Sequence, residues 1–223
     1  MVDQVSNQRV TAGGKDLQAV EMRKDLARKI AAHAPREGAH ATAIPGLSLF
    51  RRTAPSPCYP ATYEPSLTVF VQGKKRINLG GTTYLCDEST FLLSSVDVPV
   101  VSQIVTASEE VPLLSMLLKL DMAVVRGILS REEFQRREGS PQGRGIAIGT
   151  TTVELLKPCS RLLDLLDAPE DVPFLSNLIQ REIVYRLLRG PQGERLRAIA
   201  TLGDQSQRTA KAIAWLKAIT RNP

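Results

Sequence analysis

Between Ile44 and Asp121 the chain repeats short stretches of β-branched and aliphatic residues, several of which alternate with polar residues. A period of two puts neighbouring side chains on opposite faces of a strand, so each stretch predicts a strand. Gly80 and Gly81 separate two of these stretches and supply the positive φ that a two-residue hairpin turn requires. The predicted strands span residues 46–51, 66–72, 75–79, 82–86, 89–94, 98–106 and 113–121.

The connections between these strands are short, and no helical pattern interrupts them. Four prolines between residues 55 and 65 predict an irregular loop after the first strand. Consecutive short strands form an antiparallel barrel or sandwich, and we expect a small jelly-roll barrel. In the stretch 66–72 the odd-numbered residues share one face and the even-numbered residues the other. The pattern does not say which of these faces lies inside the barrel.

Helices are also predicted near both ends of the chain. Residues 16–34 are rich in Leu, Ala, Glu, Lys and Arg and predict a helix that ends before Pro35. The polar residues 1–15 predict a disordered start. Residues 208–223 have one apolar face and predict an amphipathic helix, which we expect to be poorly ordered or to pack on a neighbouring chain.

Helical patterns also follow Asp121, which is a residue type that caps helices. Thr151-x-x-Glu154 is a capping-box pattern, and Pro158 predicts a split or kink in the helix that it begins. A later helix ends at the dipeptide 190–191, where Gly is followed by Pro. The chain is thus expected to be α+β, with an N-terminal antiparallel β-barrel and an α-helical connector. The predicted segments are a tail and helix at 1–43, the barrel at 44–121, the connector at 122–207 and the terminal helix at 208–223.

Composition places the chain among ordinary globular proteins, with 43% hydrophobic and 23% charged residues. The net charge of +6 permits nucleic-acid binding, but aromatic residues at 4% argue against a platform for stacked bases. The basic cluster 74–76 is interpreted as a solvated surface. No apolar run reaches the roughly 18–20 residues of a membrane span, and the start does not resemble a signal peptide. We therefore expect a cytoplasmic protein with no membrane partner.

Candidate chemistry is sparse. The two histidines, His33 and His40, both precede the barrel, and no HxH or HExxH pattern occurs. The three cysteines are far apart and form no CxxC pair, so we expect reduced thiols. The chain has neither a GxSxG elbow nor a Walker loop. We expect no metal, no cofactor and no enzymatic activity.

Several runs resemble, in order, the N-terminal domain of a bacterial subgroup of AraC-type transcriptional regulators. The similarity covers roughly residues 44–223. The matching runs are IPGLSLFRR at 44–52, YEPSL at 63–67, VQGKK at 71–75, SSVDVPV at 94–100, REIVYRLL at 181–188, GPQG at 190–193 and DQSQR at 204–208.

The resemblance implies a cupin-like barrel that senses a small-molecule effector or makes a dimer contact. It also implies helices that join the barrel to a C-terminal DNA-binding domain with two helix-turn-helix units. Residues 208–223 match the start of that domain, so DNA is expected as a partner of the full-length regulator only. The alternative is a stand-alone cupin that binds a small molecule, or a cupin enzyme. Cupin enzymes carry metal-binding histidines in the barrel, and this barrel has none.

An effector would contact inward side chains of the barrel, and its pocket would be mostly apolar with a few polar groups. The competing interpretation of each polar candidate is a turn contact or a hydrogen bond at the barrel rim. The polar candidates for the pocket are Arg51, Tyr63, Glu64, Gln72 and Tyr84.

A second copy of the chain is the other expected partner. Four apolar residues repeat at helical spacing between residues 175 and 187, and their stripe could pack on that second copy. Packing against the chain's own barrel is the alternative. The residues of this possible homodimer face are Leu175, Ile179, Ile183 and Leu187.

Overall fold

The computed structural model describes residues 3–94, 98–130, 145–197 and 200. These residues form an α+β fold, as the patterns predict, with ten strands and four α-helices. The helices are α1 (Asp3–His33), α2 (Met122–Leu129), α3 (Val153–Asp164) and α4 (Val172–Arg189). The strands are β1 (Gly38–Ala41), β2 (Leu47–Arg52), β3 (Tyr59–Tyr63), β4 (Ser66–Gln72), β5 (Lys74–Leu79), β6 (Thr82–Cys86), β7 (Thr90–Ser94), β8 (Val98–Thr106), β9 (Leu113–Lys119) and β10 (Ile146–Thr150).

Two antiparallel sheets make up the barrel. The larger sheet has six strands in the order β1-β2-β9-β4-β7-β10, and the smaller has four in the order β3-β8-β5-β6. Side chains of both sheets meet in one apolar cluster that includes Phe70, Leu92 and Ile146 from the larger sheet and Ile77 and Val100 from the smaller. The sheets therefore face each other, and this cluster is the interior of the barrel.

The larger sheet is buried on both faces, which strand β4 shows most clearly. Six of its seven residues are buried. Leu67 and Val69 pack in the main core with the helices, whereas Phe70 packs inside the barrel. The odd-numbered face of this strand thus points to the helices and the even-numbered face to the barrel interior.

Helices cover the outer face of the larger sheet. Leu26 and Ile30 of α1 are fully buried in the core that also contains Leu49 and Met116 from the strands. Helices α3 and α4 contribute to the same core, and α3 packs on both α1 and α4. None of the helices described has both the length and the apolar character of a membrane span.

Three strands lie where the sequence predicted none. Strand β3 falls in the proline-rich segment, and β1 and β10 lie outside the predicted barrel segment 44–121. Each of the three is the edge strand of its sheet. An edge strand tolerates Pro60, because one side of its backbone makes no ladder hydrogen bonds. The prediction of helices alone after Asp121 was incomplete, because β10 lies there.

The turn and cap chemistry agrees with several predictions. Gly80 and Gly81 have φ of 50° and 82°, which is the backbone of the predicted hairpin turn. Asp121 caps α2, and its Oδ1 accepts a hydrogen bond of 2.7 Å from the Ala123 N–H. Helix α4 ends at Arg189 with Gly190 as its cap, as predicted.

Other local predictions were wrong. The cap of α3 is Thr152, whose side chain accepts from the Leu155 N–H, and not Thr151. Thr151 instead donates to the carbonyl of Ser89 at 3.1 Å. Helix α3 continues through Pro158 without a split, and α1 begins at Asp3 rather than at residue 16. The terminal helix predicted at 208–223 lies outside the described residues.

An ion-pair network joins α1 to α3 at the edge of the main core. The Lys29 ammonium lies 3.0 Å from Asp25 on its own helix and 2.5 Å from Asp164 on α3. It also donates a hydrogen bond of 2.6 Å to Ser160. Burial lowers the pKa of Lys29, but Asp164 and Asp25 raise it by more, so the net shift is upward from 10.5. This contribution to stability is therefore complete below pH 10.5 and is lost as the pH rises through the raised pKa.

We expect Lys29→Met to destabilise the fold by about 1–2 kcal/mol, because it leaves two carboxylates and a hydroxyl without their shared partner. The control is Lys24→Met, which removes an exposed pair with Glu21 and should cost less than about 0.5 kcal/mol. Urea unfolding at neutral pH measures both. Equal effects of the two substitutions would contradict the role of the network.

Gly73 and Gly81 provide a second matched pair. Both have positive φ, of 80° and 82°, but only Gly73 is crowded: a Cβ there would lie 2.7 Å from Leu113 Cα, whereas nothing lies within 4 Å of one at Gly81. Gly81→Ala should cost about 1–2 kcal/mol from its backbone conformation. Gly73→Ala should cost roughly 2–5 kcal/mol, because overlap with strand β9 adds to that strain. Thermal and urea unfolding of both variants measures the difference between their losses of unfolding free energy. Equal losses would show that backbone conformation alone matters and that the contact with β9 does not.

Candidate functional site

A cavity of about 220 Å³ lies between the two sheets inside the barrel. Strands β2, β4, β7 and β9 form its floor, and β3, β5 and β8 form its roof. The floor residues are Phe50, Arg52, Thr68, Phe70, Leu92, Leu113, Ser115 and Leu117, and the roof residues are Tyr59, Ala61, Tyr63, Lys75 and Ile104.

The strand register arranges the floor in rows. Ser115 of β9 is paired with Phe50 on one side and with Phe70 on the other, so one hydroxyl lies between two aromatic rings. In the next row, Thr68 of β4 is paired with Leu117 and with Leu92. Alternation along each strand places all of these side chains on the face opposite to the helices.

Two hydroxyls of the floor are available to a ligand. Ser115 is only 3% exposed and Thr68 only 9%. Within the part of the chain that the structure describes, neither side chain makes a hydrogen bond. Both side chains line the cavity, so their hydroxyls can hydrogen-bond to a polar group on a bound molecule.

The roof holds a cation between two aromatic rings. Lys75 Nζ lies 5.3 Å from the centroid of the Tyr63 ring and 5.8 Å from that of Tyr59. These distances are within the range of cation–π attraction. The Tyr63 hydroxyl is in turn hydrogen-bonded to Ser102 at 2.9 Å, which fixes the ring against strand β8.

Lys75 keeps its charge in this position. Burial lowers its pKa, but interactions with Tyr63 and Tyr59 outweigh that effect, so the pKa lies above its ordinary value of 10.5. Arg52 brings a second cation to the cavity and donates a hydrogen bond of 3.1 Å to the carbonyl of Arg51. The described lining contains no carboxylate. The cavity is thus apolar with a positive charge on each sheet.

Of the five polar residues predicted for the pocket, Tyr63 lines the cavity. Tyr84 is partly buried among the apolar side chains of the barrel interior but is not part of the lining. Arg51 lies on the opposite face of β2, because its neighbour Arg52 points inward. Glu64 forms an exposed salt bridge with Lys119.

Gln72 has a structural contact instead of a place in the lining. Its Nε2 donates a hydrogen bond of 2.7 Å to the carbonyl of Pro112, just before β9. This contact, and that of Glu64, match the competing interpretation of the polar candidates as turn and rim contacts.

Sequence reasoning missed Lys75, Tyr59 and Arg52. Lys75 was grouped with its basic neighbours as a solvated surface, and Tyr59 lies in the segment predicted as a loop. A signal for Lys75 was present, because it shares the face of its strand with Ile77 and Leu79. Lys74 and Arg76, on the other face, are exposed as expected.

The cysteines and histidines lie apart from the cavity lining. Cys86 and Cys159 are buried thiols, and burial raises the pKa of each to about 12. Cys58 is an exposed thiol beside Tyr59. His33 lies 3.3 Å from Asp167 near the helices. Among the described residues no cluster of metal-binding side chains occurs.

The four residues predicted for a homodimer face belong to α4. Ile179, Ile183 and Leu187 are buried in the chain's own core, and Leu175 packs against that core partly exposed. Within one chain the stripe therefore covers the barrel and leaves only Leu175 near the surface. A homodimer stays a prediction.

Comparison with known proteins identifies a family. A family model described as AraC-type transcriptional regulator N-terminus matches residues 43–195. No curated protein sequence matches the chain.

Solved structures resemble the chain at low identity. ToxT from Vibrio cholerae O395 bound to (E)-4-(8-methylnaphthalen-1-yl)but-3-enoic acid has a TM-score of 0.48 at 10% identity, covering 64% of this chain and 55% of ToxT. Wild-type ToxT from Vibrio cholerae bound to an unsaturated fatty acid has a TM-score of 0.40 at 8% identity, covering 60% and 50%. The AraC-like transcriptional activator CuxR has a TM-score of 0.40 at 11% identity, covering 71% and 64%. The chain spans about half the length of the ToxT chains that it matches.

Proposed function

The chain belongs to the AraC-type transcriptional regulators, and we propose that the cavity between its two sheets is an effector site through which gene expression is controlled. The observation that carries this proposal is the cavity itself. It is enclosed by both sheets, lined mainly by apolar side chains, and supplied with hydroxyls that have no partner of their own. Ligand sites share this combination of apolar walls and a few polar groups that set orientation.

The larger sheet is the element that can transmit occupancy of the cavity. Thr68 and Phe70 face the cavity, while Leu67 and Val69 of the same strand pack on the helical side. A ligand that changes the position of β4 or β9 therefore changes the surface on which α1, α3 and α4 rest. The ligand can shift such an equilibrium only by the difference between its affinities for the two arrangements.

The proposed target of this shift is a DNA-binding domain of the full-length regulator, in keeping with the family. DNA would be contacted by that domain and not by the barrel. A shift of about 3 kcal/mol between two arrangements would change their ratio more than 100-fold.

A binding role suits the lining better than a catalytic one. Acid–base and nucleophilic catalysis most often use His, Cys or carboxylate groups, and a lysine serves when its pKa is lowered, whereas the pKa of Lys75 is raised. The described lining offers a lysine, an arginine, two tyrosines and two small hydroxyls instead. A stand-alone cupin that binds a small molecule remains the second candidate, and it shares the same cavity.

Filling the cavity tests the proposal. We expect Ser115→Leu to place apolar volume between Phe50 and Phe70 and to weaken effector binding at least tenfold. The measurement is the melting temperature of the chain with a panel of neutral and charged one-ring compounds. At ten times the dissociation constant, a ligand should raise the melting temperature of the unmodified protein by roughly 3–6 °C.

The control is Thr62→Leu, which makes the same kind of change on the exposed face of strand β3. It should leave every shift in melting temperature unchanged. Two results would contradict the proposed effector site. In the first, no compound of the panel stabilises the unmodified protein. In the second, the compounds that stabilise the unmodified protein stabilise Ser115→Leu equally.

A further inference from the structure

Lys75 is a cation without an anion. Its ammonium lies over two tyrosine rings inside the barrel, and none of the salt bridges between described residues involves it. Removing a charge from water is costly unless an opposite charge or several hydrogen bonds compensate it. Attraction to the Tyr63 and Tyr59 side chains outweighs the burial and keeps Lys75 charged, but neither neutral phenol supplies a negative charge. The cavity next to the ammonium is where a compensating negative charge would fit.

Arg52 adds a second positive charge to the cavity lining. It reaches the same cavity from the opposite sheet, and the hydrogen bond that the structure shows for its guanidinium goes to a backbone carbonyl. Guanidinium groups pair with carboxylates through two parallel hydrogen bonds. The described lining carries two cations and no carboxylate, so an anionic ligand would meet two positive charges and no negative one.

The volume of the cavity and its apolar walls limit the uncharged part of the ligand. The volume of about 220 Å³ exceeds the roughly 150 Å³ of an apolar cavity known to hold benzene. It is smaller than the roughly 300–1,000 Å³ of sites for drug-sized molecules. Phe50 and Phe70 form apolar walls on either side of Ser115. One ring with one small charged group fits these limits.

We propose that the cavity binds a small organic carboxylate with a single-ring body, and that Lys75 is the counter-ion of its carboxylate. The ring lies against Phe50 and Phe70, and the Ser115 and Thr68 hydroxyls donate to carboxylate oxygens that Lys75 leaves free. This inference rests on the proposed function and specifies its ligand class.

The experiment compares benzoate with benzamide, which has the same shape without the charge. Isothermal titration calorimetry on the full chain at pH 7 should show benzoate binding at least tenfold more tightly than benzamide. Lys75→Met should reduce benzoate affinity at least tenfold and leave benzamide affinity within about threefold. Because the pKa of Lys75 is raised, benzoate affinity of the unmodified protein should be constant from pH 6 to pH 9.

The matched control is Lys74→Met, which removes the same charge one residue away on the exposed face of β5. It should change neither affinity more than twofold, and it excludes a general effect of net charge. Circular dichroism confirms that each variant is folded. The comparison of the two ligands on the unmodified protein needs no variant, so it decides the question even if Lys75→Met does not fold.

Equal affinity for the two ligands, a preference for benzamide, or full benzoate affinity in Lys75→Met would overturn the inference. If benzoate does not bind, but neutral compounds of the panel bind and Ser115→Leu blocks their binding, then Lys75 is not the counter-ion of a carboxylate. The proposed effector site stands in that case. If no compound binds, both proposals fail.

Discussion

The larger sheet has to satisfy two cores at once, and the rest of the structure depends on this constraint. Its outer face carries Leu67, Val69 and Met116 into the helical core, and its inner face carries Phe70 and Leu92 into the barrel. A slip of one residue in register would exchange the two faces of a strand. Such a slip would put Thr68 against the helices and leave a leucine in the cavity, so the cavity exists only in the correct register.

The same constraint explains how much of the fold could be predicted. Apart from β3, the strand positions from Leu47 to Lys119 follow from their β-branched and aliphatic stretches, and the hairpin turn follows from Gly80 and Gly81. The inward face of β4 could not be predicted, because a strand buried on both sides loses the alternation of apolar and polar residues. Three edge strands were missed, although the edge strand β6 was predicted. Strands β1 and β3 have no fully buried side chain, β3 contains a proline that argues against a strand, and β10 follows a segment with helical patterns.

Most of the candidate site escaped prediction for a physical reason as well. Polar residues near the strands were taken as pocket candidates, but Glu64 and Gln72 are held by contacts at turns and strand ends. Lys75 was hidden among basic neighbours, although the alternation of β5 places it beside Ile77. Pairing between strands decides which side chains share the cavity, and a single sequence does not contain that pairing. Ser115 and Thr68 became recognisable as a site only in the assembled sheet.

The three cysteines give the protein a useful chemical asymmetry. Cys86 and Cys159 are buried, and their raised pKa keeps them as unreactive thiols at neutral pH. Cys58 is exposed, and the next residue along the chain is Tyr59 in the roof of the cavity. A maleimide fluorophore would therefore attach at a single position without any engineered cysteine. Cys58 is therefore an attachment point from which the occupancy of the cavity can be followed by fluorescence.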